Sequence, residues 1–249
     1  MKSLYDDIGI NYSGQRRTDP RIAAQINAKL EGAKRILNIG AGTGSYEPAG
    51  FDLVAVEPSA EMIAQRSKDA YPVVQASAEK LPFEDNSFTH AMTVFSMHHW
   101  TDQAQAFREI NRVVTERFVA ISWNPAAEPF WLTRDYFPEI YEKDLKIFPH
   151  QRLLERYFDE VEITPLMIPE DLIDGFLAAH WKRPEAYLIP EVRQSMSGLA
   201  RLKDVSTGLQ KLEDDLKSGA WKSKNAAILN ETALDVGYVV VSARVRESN

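Results

Sequence analysis

Short apolar runs alternate with stretches of helical periodicity along the first half of the chain. The apolar runs have the length of buried strands and lie at residues 35–40, 52–57, 71–76, 88–97 and 117–123. Helical patterns lie before or between them, at residues 20–31, 59–68 and 103–114. Because a helix that joins two parallel strands returns the chain to the same end of the sheet, this order predicts a mostly parallel sheet.

The second half of the chain adds two strand patterns and two segments that break the alternation. Strands are expected at residues 158–166 and 235–245, which brings the predicted sheet to seven strands. Residues 124–149 are rich in proline and aromatic side chains, and residues 169–233 carry apolar positions at helical spacing. The sequence therefore predicts an α/β protein with a doubly wound sheet and helical insertions near the C-terminus.

We interpret residues 1–249 as a single domain, because no low-complexity linker divides the chain. The core of this domain is expected to comprise residues 20–123, 158–168 and 235–246. The two irregular segments, 124–149 and 169–233, are then caps that cover one end of the sheet.

Composition and charge narrow the class of partner. The chain has 249 residues, of which 44% are hydrophobic, and its formal net charge of -7 provides no overall attraction to nucleic acid. It contains no cysteine, which excludes disulfides, thiolate metal sites and a cysteine nucleophile. The N-terminal residues lack an apolar signal core, and no apolar run reaches the ~18 residues that span a bilayer. We expect a soluble, cytoplasmic protein.

The stretch IGAGTG, residues 39–44, joins the first two predicted strands. Its glycines let main-chain N–H groups approach a ligand without interference from Cβ atoms, although a tight turn with no ligand would use them as well. Glu57 ends the second predicted strand, a position that also suits a solvated acid. In a doubly wound sheet the two features share one crevice, which favours a carboxylate that accepts hydrogen bonds from a ribose.

Four motifs, LNIGAGTG, VAVEPSAEMI, QASAEKLPFEDNSF and AMTVFSMHHWTD, follow one another over about residues 35–123. In this order they resemble the successive motifs of class I S-adenosylmethionine-dependent methyltransferases of the small-molecule type. The resemblance implies a Rossmann-like fold and S-adenosyl-L-methionine as cofactor, with S-adenosyl-L-homocysteine as its product. It also implies that the cofactor-binding residues include Gly40, Ala41, Gly42, Gly44, Glu57, Pro58, Ser77, Ala78 and Val94.

The N-terminal arm adds two candidates for the same cofactor site, Tyr12 and Arg16. In similar enzymes this arm folds over the cofactor, where an arginine would pair with the methionine carboxylate. A solvated basic arm that precedes a helix fits the same residues equally well.

Three features depart from the family pattern. Pro48 and Gly50 leave room for little more than one turn of the helix that usually follows the glycine turn, so this wall of the pocket is expected to be open or rebuilt by the insertions. Ser77 stands where relatives often have an aspartate that binds the adenine amino group, and Thr89 replaces another usual aspartate. None of these changes removes the glycines or Glu57.

The catalytic candidates are His98 and His99, which the strand predicted at residues 88–97 would deliver to the carboxyl edge of the sheet. A histidine there could remove a proton from a hydroxyl or ammonium nucleophile near neutral pH. Packing at the start of a loop is the alternative reading of the same pair. Because a strand sends neighbouring side chains to opposite faces, we expect the pair to bind no metal.

Two functions from different classes fit these features. The first is transfer of a methyl group from S-adenosylmethionine to an O, N or C nucleophile of a small molecule, with no nucleic acid or membrane as partner. The second is non-catalytic binding of S-adenosylmethionine or S-adenosylhomocysteine by a protein whose helical insertion contacts another protein. The aromatic segment favours the enzyme, and the glycine spacing disfavours a nicotinamide dehydrogenase.

Overall fold

The structure is a computed structural model that describes residues 17–194 and 196–246. Its strands are β1 (Arg35–Ile39), β2 (Asp52–Glu57), β3 (Val73–Gln75), β4 (Phe88–Val94), β5 (Val114–Trp123), β6 (Phe158–Pro165), β7 (Ile168–Pro169), β8 (Ala233–Leu234) and β9 (Tyr238–Val245). Within the described residues, seven of these strands form one sheet in the order β3-β2-β1-β4-β5-β9-β6. The short strands β7 and β8 pair with each other.

The pairings within β3, β2, β1, β4 and β5 are all parallel, whereas β9 runs antiparallel to both β5 and β6. The prediction of a mostly parallel, seven-stranded, doubly wound sheet is therefore confirmed. The strand order reverses between β1 and β4, because the chain first adds β2 and β3 on one side of β1 and then returns to the other side. The carboxyl ends of β1 and β4 therefore border a crevice of the kind in which open α/β sheets bind ligands.

The helices are α1 (Pro20–Lys29), α2 (Ala60–Ala64), α3 (Gln103–Val113), α4 (Trp131–Asp135), α5 (Pro138–Ile147), α6 (Gln151–Tyr157), α7 (Pro190–Arg193), α8 (Ser197–Ala200), α9 (Ser206–Ser218) and α10 (Ala220–Lys224). Single 3-10 turns cover Met97–His99, Pro184–Leu188 and Ala226–Asn230. Across the described parts of the chain, no helix has both the length and the apolar character needed to cross a membrane.

Side-chain caps begin the first three helices where the sequence places them. Asp19, Ser59 and Asp102 each accept a hydrogen bond from a first-turn N–H, at 3.0, 3.3 and 2.9 Å respectively. Helix α2 ends at Ala64, four residues before the predicted end, because Arg66 leaves the helical run and turns inward to a buried carboxylate.

Strand β4 is shorter than predicted, because it ends at Val94 rather than at residue 97. Phe95 has φ of 51°, in the left-handed region that interrupts a strand. Its N–H donates to the carbonyl of Ile121 at 2.9 Å, and the next residues turn into the 3-10 helix. The apolar pattern runs past the strand because Met97 is still buried, at 1% exposure.

The two irregular segments pack against each other in one aromatic core. The indole N–H of Trp131 donates to the carbonyl of Trp181 at 3.0 Å, and that of Trp181 donates to the carbonyl of Ile168 at 2.8 Å. The ring of Trp131 meets Tyr187 and Trp221 edge-on, with centroids 5.6 and 5.3 Å apart. Trp131 and Trp181 are therefore packed in the core of the two insertions.

Helix α9 docks on this core through Gly208. A Cβ at residue 208 would lie 2.4 Å from Cε1 of Phe137 and 2.5 Å from the carbonyl oxygen of Tyr136. We expect Gly208→Ala to lower the free energy of unfolding in urea by about 1–3 kcal/mol, because overpacking outweighs the ~1 kcal/mol gain in helix propensity. Thr207→Ala, at the exposed neighbouring position, is the control and should change stability by less than ~0.5 kcal/mol. A stabilised Gly208→Ala protein would contradict this docking.

Candidate functional site

The glycine turn after β1 adopts a backbone that requires glycine. Gly40, Gly42 and Gly44 have φ of 68°, 53° and 94°, all in the left-handed region. A Cβ at Gly40 would lie 1.8 Å from Oγ of Ser96, so no larger residue fits there. The N–H groups of Gly40 and Ala41 both donate to the carbonyl of Val56, at 2.8 and 3.0 Å. The turn is thus held against the end of β2.

Glu57 is the last residue of β2 and is 5% exposed. Its Oε2 accepts a hydrogen bond from the N–H of Gly42 at 2.8 Å, and its Oε1 accepts one from the N–H of Ser59 at 2.9 Å. The carboxylate therefore ties the glycine turn to the start of α2. An ionised carboxylate offers about four lone-pair sites, so one carboxylate can accept hydrogen bonds from main-chain N–H groups and from ribose hydroxyls at the same time. The ribose contact itself stays a prediction.

The sequence leaves room for little more than one helical turn between the glycine turn and β2, and the chain there forms no helix. A buried ion pair joins Glu47, in this stretch, to Arg66. Arg66 binds both carboxylate oxygens of Glu47 at 2.8 and 2.9 Å, and the two side chains are 4% and 6% exposed. Burial raises the pKa of Glu47, while Arg66 opposes the rise. Arg66 also donates to the carbonyl of Gly42 at 3.3 Å, and Asn38 donates to Glu47 at 3.1 Å. This pair ties the chain after the glycine turn to the residues that follow α2.

Asp174, from the second insertion, bonds to the same stretch of chain. Tyr46, 2% exposed and with φ of 66°, donates its hydroxyl to Oδ2 of Asp174 at 2.9 Å. Asp174 belongs to the segment 169–233 and also accepts a hydrogen bond from the N–H of Arg17 at 3.3 Å. The insertion is therefore bonded to the chain just after the glycine turn. Its role in rebuilding this side of the pocket stays a prediction.

The remaining cofactor candidates lie at the ends of neighbouring strands. Ala78 is buried, and Ser77 donates to Glu79, a contact that helps to hold the pKa of that carboxyl below its ordinary value despite its burial. The Ser77 oxygen keeps its lone pairs, so it can accept from an amino group as an aspartate would. Pro58 directly follows Glu57, and Val94 is the last residue of β4. Tyr12 and Arg16 lie outside the described residues.

His98 and His99 lie side by side, with ring centroids 3.9 Å apart and planes tilted by 43°. The expectation that they point to opposite faces was wrong, because the strand ends before them and a 3-10 turn carries both. The ring of His98 stacks on Phe148 at 4.3 Å with an angle of 21°. Nδ1 of His99 lies 2.9 Å from a terminal nitrogen of Arg201. Both insertion segments thus reach the carboxyl end of β4.

Burial keeps both imidazoles uncharged. It lowers the pKa of His98 well below its ordinary value, with smaller contributions from His99 and Arg201. Burial and then Arg201 lower the pKa of His99 to about 3. A general base works best when its pKa lies near the operating pH, so this environment disfavours proton removal by either histidine. In the described part of the chain, no group of three or more His, Cys, Asp or Glu side chains is arranged to hold a metal ion.

Sequence reasoning missed several groups at this end of the sheet. Burial raises the pKa of Asp144, on α5, to about 6, although the positive charges of Arg201 and Lys143 oppose the rise. The rings of Phe95 and Phe176 lie 5.0 Å apart, and each packs on Tyr238 at 5.1 and 5.2 Å. Asp144, Phe176 and Tyr238 lie in no motif. Phe95 does, but its two aromatic partners come from distant parts of the chain.

Comparison with known proteins matches this chain to one family. Residues 37–117 match the family described as methyltransferase domain. A solved structure from Anabaena variabilis, described as a methyltransferase from an antibiotic biosynthesis pathway, superposes with a TM-score of 0.83. It is 33% identical to this protein and the match covers 92% of this chain and 98% of that one.

Curated relatives carry the same family name. An uncharacterised methyltransferase of Mycobacterium tuberculosis is 33% identical over 155 residues, which is 57% of this chain and 63% of the relative. The match thus spans less than two thirds of that relative's length. A demethylmenaquinone methyltransferase of Paenarthrobacter aurescens is 28% identical over 215 residues, which is 72% of this chain and 84% of the relative.

The hydrogen bonds of Glu57 predict that removing its side chain lowers the stability of the protein. Glu57→Ala leaves the N–H groups of Gly42 and Ser59 without their acceptor, and each unsatisfied buried donor costs ~1–3 kcal/mol. Because the N–H of Gly42 is only partly buried, we expect the free energy of unfolding in urea, without ligand, to fall by about 2–4 kcal/mol, the lower part of the summed range. Asp69→Ala, which removes a carboxylate from an exposed turn, serves as control. Equal stabilities of the two variants would show that Glu57 does not hold the turn.

Asp144 predicts a pH dependence of stability. Its pKa is higher in the folded protein than the ordinary value of 3.8, so the folded state binds more protons than the unfolded state between pH ~4 and ~6. Stability therefore falls as the pH rises through this window. Asp144→Asn should remove this loss and be more stable at pH 8 by about 1–2 kcal/mol, with no gain at pH ~4. Thermal unfolding at both pH values measures the difference, and a less stable variant at pH 8 would contradict the assignment.

Proposed function

Because the chain belongs to the class I S-adenosylmethionine-dependent methyltransferase superfamily, we propose that it transfers a methyl group from S-adenosylmethionine to an O, N or C nucleophile of a small molecule. The observation that carries this proposal is the left-handed glycine turn bonded to the buried carboxylate of Glu57 at the reversal of strand order. A Cβ-free turn and a strand-end acid suit the two halves of this cofactor, its methionine and its ribose.

Different residues around the turn are assigned to different parts of the cofactor. We assign Gly40, Ala41, Gly42 and Gly44 to the methionine part, Glu57 and Pro58 to the ribose, and Ser77, Ala78 and Val94 to the adenine and its surroundings. When bound, the cofactor supplies a methyl group activated by the adjacent sulfonium. The protein then has to orient the acceptor and exclude water.

The insertions provide the means of excluding water. We propose that segments 124–149 and 169–233 act as caps on a core formed by residues 20–123, 158–168 and 235–246. Phe148 from the first cap covers His98, and Phe176 from the second packs on Phe95, both at the carboxyl end of β4. Aromatic walls at this edge fit a small, largely apolar acceptor rather than a macromolecule.

Calorimetric titration with S-adenosylhomocysteine tests the cofactor assignment. We expect binding by the wild-type protein and no binding of NADH. Gly40→Ala should weaken the binding by about tenfold or more, because the added Cβ would displace Ser96 and distort the glycine turn. Gly32→Ala is a matched control, because Gly32 has φ of 85° as well but nothing within 4 Å of its added Cβ.

Several outcomes would contradict the proposal. Binding of NADH without S-adenosylhomocysteine would favour a dehydrogenase. If Gly40→Ala and Gly32→Ala weakened the binding of S-adenosylhomocysteine equally, the glycine turn would not be the binding site of the cofactor. Tight binding together with a failure to methylate any member of a broad panel of hydroxyl, amine and carbon acids would favour a non-catalytic binding protein.

A further inference from the structure

Gly42 is held at both of its peptide groups. Its N–H donates to Oε2 of Glu57 at 2.8 Å, and its carbonyl accepts a hydrogen bond from Nη1 of Arg66 at 3.3 Å. A glycine has no side chain through which it could be held, and the φ of 53° at Gly42 is one of several that a glycine adopts freely. Glu57 and Arg66 together therefore fix the orientation of this residue within the turn.

The guanidinium of Arg66 also lies against Gly44. A Cβ at Gly44 would lie 3.2 Å from Nη1 and 3.4 Å from Cζ of Arg66. Nη2 of the same group donates to both carboxylate oxygens of Glu47, at 2.8 and 2.9 Å, and to the carbonyl of Tyr71 at 3.2 Å. One side chain therefore contacts the turn at two glycines while its other nitrogen is tied to the surrounding chain.

The pair of Arg66 and Glu47 has a fixed position. The two side chains are 4% and 6% exposed, so water screens their attraction little. Asn38, a buried residue of β1, donates to Oε1 of Glu47 at 3.1 Å. The hydroxyl of Tyr71 donates to the carbonyl of Pro48 at 2.9 Å, which ties the chain after α2 to the same stretch. The pair is thus a rigid support on which the turn can rest.

Stability alone does not explain why this support is an ion pair. A buried ion pair adds little net stability, because the cost of removing two charges from water offsets their attraction. Two apolar side chains of similar size often stabilise a protein as well or better. They cannot donate a hydrogen bond to the carbonyl of Gly42, whereas the guanidinium of Arg66 does so.

We propose that Arg66, oriented by Glu47, is a positioning residue that shapes the glycine turn for the methionine part of S-adenosylmethionine. Arg66 acts through the backbone of Gly42 and Gly44 and need not touch the cofactor itself. The inference rests on the proposed function, which assigns these glycines to the methionine part. Removal of Arg66 should therefore weaken the binding of the amino-acid end of the ligand more than that of its adenosine end.

Two ligands with the same adenosine part separate these two ends. S-adenosylhomocysteine carries the amino-acid group, and methylthioadenosine has only a methyl group in its place on sulfur. The ratio of their dissociation constants, measured by calorimetric titration, reports how much the amino-acid group contributes to binding. We expect the wild-type protein to prefer S-adenosylhomocysteine, and Arg66→Met to reduce this preference about tenfold, because one hydrogen bond to a charged group contributes enough for a change of that size.

Arg112→Met is the matched control. Arg112 pairs with Glu109 at 2.7 Å and donates to the carbonyl of Leu81 at 2.9 Å, so it too joins a carboxylate to a main-chain carbonyl. The loop that contains Leu81 follows Ser77 and Ala78, which we assign to the adenine and its surroundings. Since both ligands carry adenine, Arg112→Met should weaken their binding by the same factor and leave the ratio unchanged.

A double variant separates positioning from stability. Arg66→Met leaves the carboxylate of Glu47 buried without its partner, which is strongly destabilising. Glu47→Met combined with Arg66→Met removes both charges, so the double variant should unfold at a higher urea concentration than Arg66→Met. It still has no donor to the carbonyl of Gly42, so its preference for S-adenosylhomocysteine should remain as low as in the single variant. If Arg66→Met does not fold, the double variant is compared with the wild-type protein directly.

The outcomes separate the two proposals. If the wild-type protein does not bind S-adenosylhomocysteine, the proposed function fails. If it binds S-adenosylhomocysteine but without preference over methylthioadenosine, only the present inference is overturned. The same holds if the variants without Arg66 keep the wild-type ratio, if the double variant recovers the ratio together with the stability, or if Arg112→Met lowers the ratio as much as Arg66→Met does.

Discussion

The carboxylate of Glu57 holds together the parts from which the site is built. It joins the N–H of Gly42, in the turn after β1, to the N–H of Ser59, at the start of α2, with bonds of 2.8 and 2.9 Å. A turn with left-handed glycines has little conformational preference of its own, so it needs such an anchor to hold it in one conformation. Glu57 thus stabilises the glycine turn and is also the residue that we assign to ribose binding.

The helix that usually follows the glycine turn is absent. Side chains from other parts of the chain stabilise this region instead. The pair of Glu47 and Arg66 fills the space within the turn region, and Tyr46 extends the network to Asp174 in the second cap. A buried ion pair adds little net stability, but breaking one partner is costly, which favours one arrangement of the chain. The second cap is therefore linked to the glycine turn through Tyr46 and Glu47, which are neighbours in the chain and bond to Asp174 and Arg66 respectively.

Local signals allowed much of the fold to be predicted from the sequence. The apolar runs, the caps at Asp19, Ser59 and Asp102 and the glycine turn all act over a few residues, and each is found where it was expected. The errors have local causes as well: the left-handed backbone of Phe95 ends β4 early, and this places His98 and His99 on the same side. No pattern of apolar positions reports such a φ angle.

The groups that the sequence did not reveal are those joined across long stretches of chain. Arg201 and His99 are 102 residues apart and Tyr46 and Asp174 are 128 apart, so only the folded structure brings them together. Charged residues in the insertions look like parts of a solvated surface until the fold buries them. The substrate class therefore depends on tertiary contacts, whereas the cofactor can be inferred from motifs.

A crystal structure of the protein with S-adenosylhomocysteine is the most direct test of the central claim. We expect the ribose hydroxyls within about 2.5–3.0 Å of the Glu57 carboxylate, which keeps its bonds to Gly42 and Ser59, and the sulfur facing His98 and His99. A ligand bound elsewhere, or a ribose held by other residues while Glu57 bonds only to the backbone, would contradict the account.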